Sequence, residues 1–313
     1  MENVIIIGSG CAGYTSAIYT ARAGLNPLIF TGLMPGGLLT TTTIVENYPG
    51  FENGIDGFEL MMTMRKQCER FGARIRDVEV VTSVERKGST FIVGIQDEKI
   101  EAKTIIIATG AGHRHLGIES EHLLENKGVT YCATCDGPHP MFRNQPLVVV
   151  GGGDSAIEEA TFLTRFGSKV YLIHRRDKLR ASKIMQDRAF ANPKIEFVWD
   201  TAVEEILDVK QDKVTAVRVK NLKTGETKDL PAAGVFIAIG HIPNTQIFKG
   251  MIDMDEDGYV ITKRGMMTNI DGIFSAGDCV DRVYRQAITA AGLGCAAAID
   301  AERYLAALEM PEA

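Results

Sequence analysis

Residues 131–140 read YCATCDGPHP: two cysteines three apart, with an aspartate directly after the second. Cys132 and Cys135 in this C-x-x-C spacing suit three kinds of chemistry: half of a zinc site, a structural bridge, or a disulfide that opens and closes as electrons pass. Asp136 adds either a proton donor for a neighbouring sulfur or a turn-former ahead of Gly137, since Asp-Gly is a common turn pair. Zinc needs four ligands, commonly with a second paired half-site. The other cysteines, Cys11, Cys68, Cys279 and Cys295, are scattered, and the H-R-H of residues 113–115 has the wrong spacing, so no metal site is expected. His139 lies between two prolines and reads as a surface loop residue rather than a base.

Two glycine clusters suit phosphate. Gly8, Gly10 and Gly13 form G-x-G-x-x-G, and Gly151, Gly153 and Ala156 form G-x-G-x-x-A. The first glycine of such a pattern permits a tight turn, the second lets a pyrophosphate approach the backbone, and the third position packs helix on strand. The phosphate then faces free N–H groups at a helix N-terminus. Asp154 and Ser155, which open the helix expected after the second cluster, are counted with its nucleotide contacts.

The segment HRRDKLR at 174–180 stands where an acid would hold an NAD ribose. Its His174, Arg175, Arg176 and Arg180 suit a 2′-phosphate through charge-assisted and bidentate contacts, which points to NADPH. The corresponding first segment ends LIFTG, with neither acid nor arginine, and continues into TGLMPGGLLTTTTIVENYPGF. That loop offers backbone N–H groups and hydroxyls to a polar ring, so a flavin is the natural ligand. Asp278 in AGDCVD follows a later strand and is placed to bond the flavin's ribityl or phosphate region.

The elements that must carry these residues form a duplication. VIIIGSGCAGYTSAIYTARAGLNPLIF (4–30) and LVVVGGGDSAIEEATFLTRFGSKVYLI (147–173) both read strand, glycine turn, helix, glycine, strand, with 16 residues from Gly8 to Gly24 and 16 from Gly151 to Gly167. KTIIIATGAG (103–112) and GVFIAIGHIP (234–243) repeat a later strand. The expected fold class is α/β, with two Rossmann-like three-layer nucleotide-binding domains, one inserted in the other. Residues 1–114 and 244–313 form an FAD domain, and 115–243 an NADPH domain that also carries the C-x-x-C. Disulfide and nicotinamide then share one domain and must both serve one flavin, which predicts rotation about linkers near 112–117 and 240–244. Residues 284–305 read as an alanine-rich helix opened by Arg285 and Gln286, with Cys279 and Cys295 as small buried residues.

Composition narrows the class. The chain has 313 residues, about two domains' worth, and a net charge of -6, which argues against nucleic acid as a partner. No run approaches the roughly 18–20 apolar residues of a membrane span, and the start MENVIIIGSG is a first strand rather than a secretory signal. A cytoplasmic location, where thiols are normally reduced, is expected.

Taken together, GSGCAGYTSAIYTARAGL, GGLLTTTTIVENYPGF, CATCDG, GGGDSAIEEA, HRRDKLRAS, AIGHIPNT and FSAGDCVDRVYRQAITAAGLG closely resemble the low-molecular-weight thioredoxin reductases, almost from end to end. The resemblance implies a homodimeric enzyme passing electrons from NADPH through FAD to thioredoxin. It implies that FAD is held by residues 31–38 (with Thr31, Gly36, Gly37 and Leu38), by Asn47, and by residues 278–287 (with Asp278, Arg285, Gln286 and Ala287). It implies a redox disulfide of Cys132 and Cys135, with Cys135 on the flavin side, Cys132 attacking thioredoxin, and Asp136 as acid. Two positions depart from the family's pattern: Cys11 replaces a common proline, and Leu38 replaces a glutamine by the flavin ring, removing a polar contact. Competing expectations are a reductase or oxidase of another dithiol, and a non-catalytic NADPH sensor.

Overall fold

The opening apolar run becomes the strand Glu2–Ile7, in which Val4, Ile5 and Ile6 are fully buried. Burial on both faces leaves no polar alternation, as in parallel strands covered on both sides. Each such side chain stabilises the fold by roughly 1.5–3 kcal/mol. The strand pairs in parallel with Leu28–Phe30 and with Glu98–Ile107, and Leu28–Phe30 pairs with Arg74–Arg76. The second half of Glu98–Ile107 also pairs in parallel with Ile273–Ser275, while its first half joins the antiparallel strands Thr90–Ile95 and Val81–Lys87. Val4, Ile6 and Ile106 pack under the helices Cys11–Arg22, Gly57–Arg70 and Ala287–Glu309. Their neighbours Ile5, Ile7 and Ile107 face Phe91, Val93 and Phe248 on the other side. The result is three layers.

The same plan recurs. A parallel sheet runs in the order Val129–Thr130, Gly234–Ala238, Pro146–Gly151, Lys169–Ile173, Ile195–Val198. Leu147 and Val149 face the helix Asp154–Leu163, whereas Val148 and Val150 face a three-stranded antiparallel sheet of Thr201–Leu207, Ala216–Asn221 and Thr227–Pro231. Both units have the Rossmann-like three-layer build expected from the duplicated sequence.

The structure is a computed structural model that describes residues 1–309. It divides into Met1–Gly112 with Ile242–Ala313, of which 310–313 lie outside the described residues, and His113–His241. The chain crosses between units within the strands Ala111–His113 and His241–Pro243, whereas the sequence alone places the limits at 114/115 and 243/244. No helix among the described residues is long and apolar enough to cross a membrane.

Two local expectations are corrected. The last helix begins at Ala287, so Arg285 and Gln286 precede it rather than open it. The cause is Asp281, whose carboxylate accepts the backbone N–H groups of Val283, Tyr284 and Arg285 at 2.9, 2.8 and 3.0 Å, with Arg285 turned to φ 47°. Cys279 is buried as expected, but Cys295 is only half-buried.

Candidate active site

Cys132 and Cys135 form a disulfide across the single helical turn Ala133–Asp136. Cys132 caps that turn, and its Sγ accepts the backbone N–H of Cys135 at 3.1 Å. Cys135 is exposed and Cys132 half-buried. Asp136 closes the turn by donating its N–H to Cys132 O at 3.1 Å. Its carboxylate accepts the hydroxyl of Thr130, which in turn accepts the N–H of Cys132 at 3.2 Å. Burial pushes the Asp136 carboxyl above its ordinary range, and the Thr130 hydrogen bond and the charge of His139 pull it partly back. A carboxyl so placed can hold a proton beside two sulfurs.

The Asp-Gly pair does not form a left-handed turn. Gly137 has φ -53° and continues the helical turn, donating to Ala133 O at 2.8 Å. Its lack of a side chain serves packing, since a Cβ there would lie 2.5 Å from Ala133 O and 2.9 Å from Leu163 Cδ2. His139 is exposed, and its Nδ1 accepts the N–H of Met141 at 3.3 Å.

In the second glycine turn, a Cβ on Gly151 would lie 2.4 Å from Ala238 O and 2.7 Å from Ala156 Cβ, while at Gly153 nothing lies within 4 Å. The first and third positions are thus consumed by packing, and the second is open to a ligand. Asp154 Oδ1 accepts both the N–H and the hydroxyl of Ser182 at 2.8 Å, latching the helix start to the segment after the arginines. Ser155 sits half-buried in the first helical turn. His174 is buried, with its ring where a Cβ of Gly152 would be, 2.3 Å away, and its Nε2 3.0 Å from Lys178 O. Burial, then the charges of Arg180 and Arg176, push its pKa down against the hydrogen bond to Lys178. It supports the loop from beneath.

Arg175, Arg176 and Arg180 are exposed, and among the described residues none is ion-paired. The acid within the run, Asp177, is engaged by Lys223 at 3.1 Å, which holds its carboxyl below the ordinary range. The N–H groups of Arg180 and Ala181 donate to Gly152 O at 2.7 and 3.2 Å, so the cationic run is tied to the phosphate turn. Three uncompensated guanidinium groups beside an open glycine fit a dinucleotide that carries a further phosphate.

The first unit repeats the division of labour. A Cβ on Gly8 would lie 2.2 Å from Ala108 O, one on Gly13 2.0 Å from Gly8 O, and at Gly10 nothing lies within 4 Å. Gly36 donates its N–H to Ser9 Oγ at 2.9 Å, and a Cβ on Gly37 would come within 3.3 Å of Gly10 Cα, so this loop lies against the glycine turn. Thr31 is buried and its hydroxyl is engaged, accepting Val78 N–H at 2.9 Å and donating to Gly32 O at 3.0 Å. Leu38 stands exposed in the turn Gly37–Thr41. Asn47 donates to Gln286 Oε1 at 3.2 Å, and Ala287 begins the helix behind them.

Asp278 is the telling group. Its Oδ1 is buried without a hydrogen-bond partner among the described residues. Burial, then the charge of Asp281, push its carboxyl up to about 6 against the pull of Arg285. A buried acceptor left without a donor is costly, and a hydroxyl from a bound ligand would satisfy it. The open Gly10, the loop folded over it and this acceptor fit a flavin dinucleotide.

Several contributors escaped the sequence reading: Thr130, which holds Asp136; Asp281, which shapes 283–285; and the buried Glu121, which accepts the Tyr131 hydroxyl at 3.0 Å one residue before Cys132. Asp281 stands in AGDCVD beside the assigned Asp278 and carried a signal as the second acid; Thr130 and Glu121 carried none.

The chain matches the family model described as pyridine nucleotide-disulphide oxidoreductase over residues 2–294. It is 54% identical over 311 residues to the thioredoxin reductase of Streptomyces clavuligerus, covering 98% of this chain and 95% of that one. It is 56% identical over 308 residues to that of Mycolicibacterium smegmatis, covering 98% and 97%. The crystal structure of thioredoxin reductase from Streptococcus pyogenes is 45% identical and superimposes with a TM-score of 0.92 over 98% of this chain and 99% of that one. The chain belongs to the pyridine nucleotide-disulphide oxidoreductase family and, within it, to the thioredoxin reductases.

Proposed function

We propose that this chain takes electrons from NADPH and delivers them, through FAD and the Cys132–Cys135 disulfide, to the disulfide of thioredoxin. The observation that carries the reading is the disulfide turn itself. Cys135 N–H points at Cys132 Sγ, and Asp136, with its raised pKa, follows directly. FAD would be held by the turn of Gly8, Gly10 and Gly13, the loop of Gly36 to Leu38, Asn47, Asp278 and residues 285–287. NADPH would be held by the turn of Gly151 and Gly153, latched through Asp154, with Arg175, Arg176 and Arg180 on its 2′-phosphate and His174 supporting the loop. When bound, FAD accepts hydride from NADPH and supplies the two electrons that open the Cys132–Cys135 disulfide.

The protein's own steps follow from thiol chemistry. The Cys135 N–H stabilises charge on Cys132 Sγ once the disulfide is open, favouring Cys132 as the attacking thiolate. Cys132 attacks one sulfur of the thioredoxin disulfide, forming an intermolecular disulfide and expelling a thioredoxin thiolate. Cys135 then attacks Cys132 Sγ, re-forming the ring and expelling the second thiolate. Asp136 delivers a proton to a departing thiolate and recovers one from the thiols in the next cycle.

A homodimer, a cytoplasmic location and rotation of one domain against the other between the two electron transfers belong to the same proposal. Light scattering on the holoenzyme tests the dimer. Steady-state NADPH oxidation with a panel of thioredoxins, with Cys135→Ser as control, tests the activity. Equal rates for variant and parent would remove the disulfide from the mechanism. Flavin reduction by NADPH without turnover of any protein disulfide would favour the sensor instead.

A further inference from the structure

Glu121 is fully buried, yet no lysine or arginine pairs with it among the described residues. Its Oε1 accepts the Tyr131 hydroxyl at 3.0 Å and lies 3.2 Å from His115 Nδ1, and its Oε2 accepts Gly117 N–H at 3.0 Å. Burying a carboxylate without a fixed cation is costly. Beside it stand two exposed imidazoles, His115 and His122, with ring centres 5.2 Å apart. One ligand atom from each of His115, Glu121 and His122 lies within 4.8 Å of the others. Two imidazoles and a carboxylate form a donor set for borderline divalent metals, with remaining positions left to water.

We propose that His115, Glu121 and His122 bind a zinc-like divalent cation. In a tetrahedral zinc site with bonds of about 2.0–2.1 Å, ligand atoms sit about 3.4 Å apart. His115 Nδ1 already lies 3.2 Å from Glu121 Oε1 and 2.9 Å from the Tyr131 hydroxyl, so the exposed His122 ring would close the remaining gap by rotating, while Glu121 stays fixed by Gly117 and Tyr131, the kind of outer hydrogen bonding that orients metal ligands. The cation supplies the positive charge that the buried carboxylate lacks. Because the Tyr131 hydroxyl shares the same Oε1 and Tyr131 precedes Cys132, the cation would tie residues 115–122 to the strand entering the redox turn. This site is separate from the nucleotide and disulfide chemistry, and its existence does not depend on the reductase reading.

The test uses the FAD-loaded enzyme in its oxidised form, without NADPH, so that Cys132 and Cys135 remain joined and cannot act as ligands. Equilibrium dialysis against Zn²⁺ should give one zinc per chain. His122→Gln, at an exposed position, should weaken binding about tenfold or more, the range in which lost coordination support is felt. Zinc should raise the unfolding temperature of the parent but not of His122→Gln. His139→Gln, remote from the cluster in its hydrogen bonds, should bind as the parent does. Unchanged zinc affinity and stoichiometry in both His115→Gln and His122→Gln would overturn the proposal, as would a parent that retains no zinc, or an equal loss in His139→Gln.

Discussion

Thr130 donates its hydroxyl hydrogen to Asp136 Oδ2 while accepting the amide of Cys132, so one side chain ties the candidate acid to the first cysteine. The donated bond favours the carboxylate and holds the Asp136 pKa down against burial. Thr130→Val should therefore raise that pKa further. If Asp136 delivers protons, the alkaline limb of the pH profile of kcat should move to higher pH in this variant. Asp136→Asn should lower kcat by about 10²-fold or more and abolish that limb. A limb that moves down, or stays where it is in both variants, would exclude Asp136 from proton transfer.

If both cysteines take part in turnover, their variants should fail differently. Cys132→Ser and Cys135→Ser should each reduce thioredoxin-dependent NADPH oxidation by on the order of 10⁴-fold, as for members of a unit that acts together. Rapid mixing with a thioredoxin disulfide should trap a covalent adduct on pre-reduced Cys135→Ser and not on Cys132→Ser. The opposite pattern would reverse the assigned order of attack.

Among the described residues no carboxylate pairs with the three exposed arginines, and Asp177 among them is engaged by Lys223. Arg176→Ala should raise KM for NADPH by about 10–100-fold, the scale of a lost charge-assisted contact of roughly 1.5–3 kcal/mol. KM for NADH should change little. A parallel rise for both nucleotides would mean that the cluster shapes the loop rather than reading the 2′-phosphate.

Asp278 should couple flavin binding to pH. Its carboxyl is raised from 3.8 to about 6 by burial, so the folded FAD-free protein holds the proton more tightly than the unfolded chain does. Its stability should fall as pH rises from 3.8 to about 6 and level off above that, by about 3 kcal/mol at most. Asp278→Asn should flatten this dependence and bind FAD more weakly. Urea titrations of the FAD-free forms across pH 4–7 would read it. A variant with the parent's slope would place the titration elsewhere.

The glycine turns separate fold from ligand. A Cβ at Gly13 meets Gly8 O at 2.0 Å, whereas at Gly10 and Gly153 it meets nothing within 4 Å. Gly13→Ala should therefore destabilise the first unit by several kcal/mol. Gly10→Val and Gly153→Val should fold normally and lose FAD and NADPH respectively, scored by retained flavin absorbance and by nucleotide titration. Normal cofactor affinity in the folded valine variants would move the pyrophosphates away from these turns.

Leu38 stands 43% exposed in the loop against the glycine turn, at the position where the resemblance implies a glutamine. Leu38→Gln should restore a hydrogen bond to bound flavin and shift its reduction potential, measurable by equilibration with reference dyes. An unchanged potential would mean that this side chain does not reach the flavin.

Much of the molecule was determined by residue order alone. Parallel strands buried on both faces must be continuous apolar runs, and phosphate turns must be glycines at set spacing, so VIIIGSG and LVVVGGG announce both units wherever they fold. The arginine run and the C-x-x-C are likewise local, because each acts within a few residues of itself. What only the tertiary structure decided are the contacts between residues far apart in the chain or dependent on burial. Asp281 delays the start of the final helix by capturing three amides, and His174 turns inward beneath Gly152 instead of outward with its arginine neighbours. Thr130 reaches Asp136 only because Cys132–Asp136 coils back on itself. His115 comes beside Glu121 and His122 only when residues 115–122 fold back through the short helix Glu119–Leu123. Hydrogen bonding and desolvation are properties of position in space, and no one-dimensional spacing encodes them.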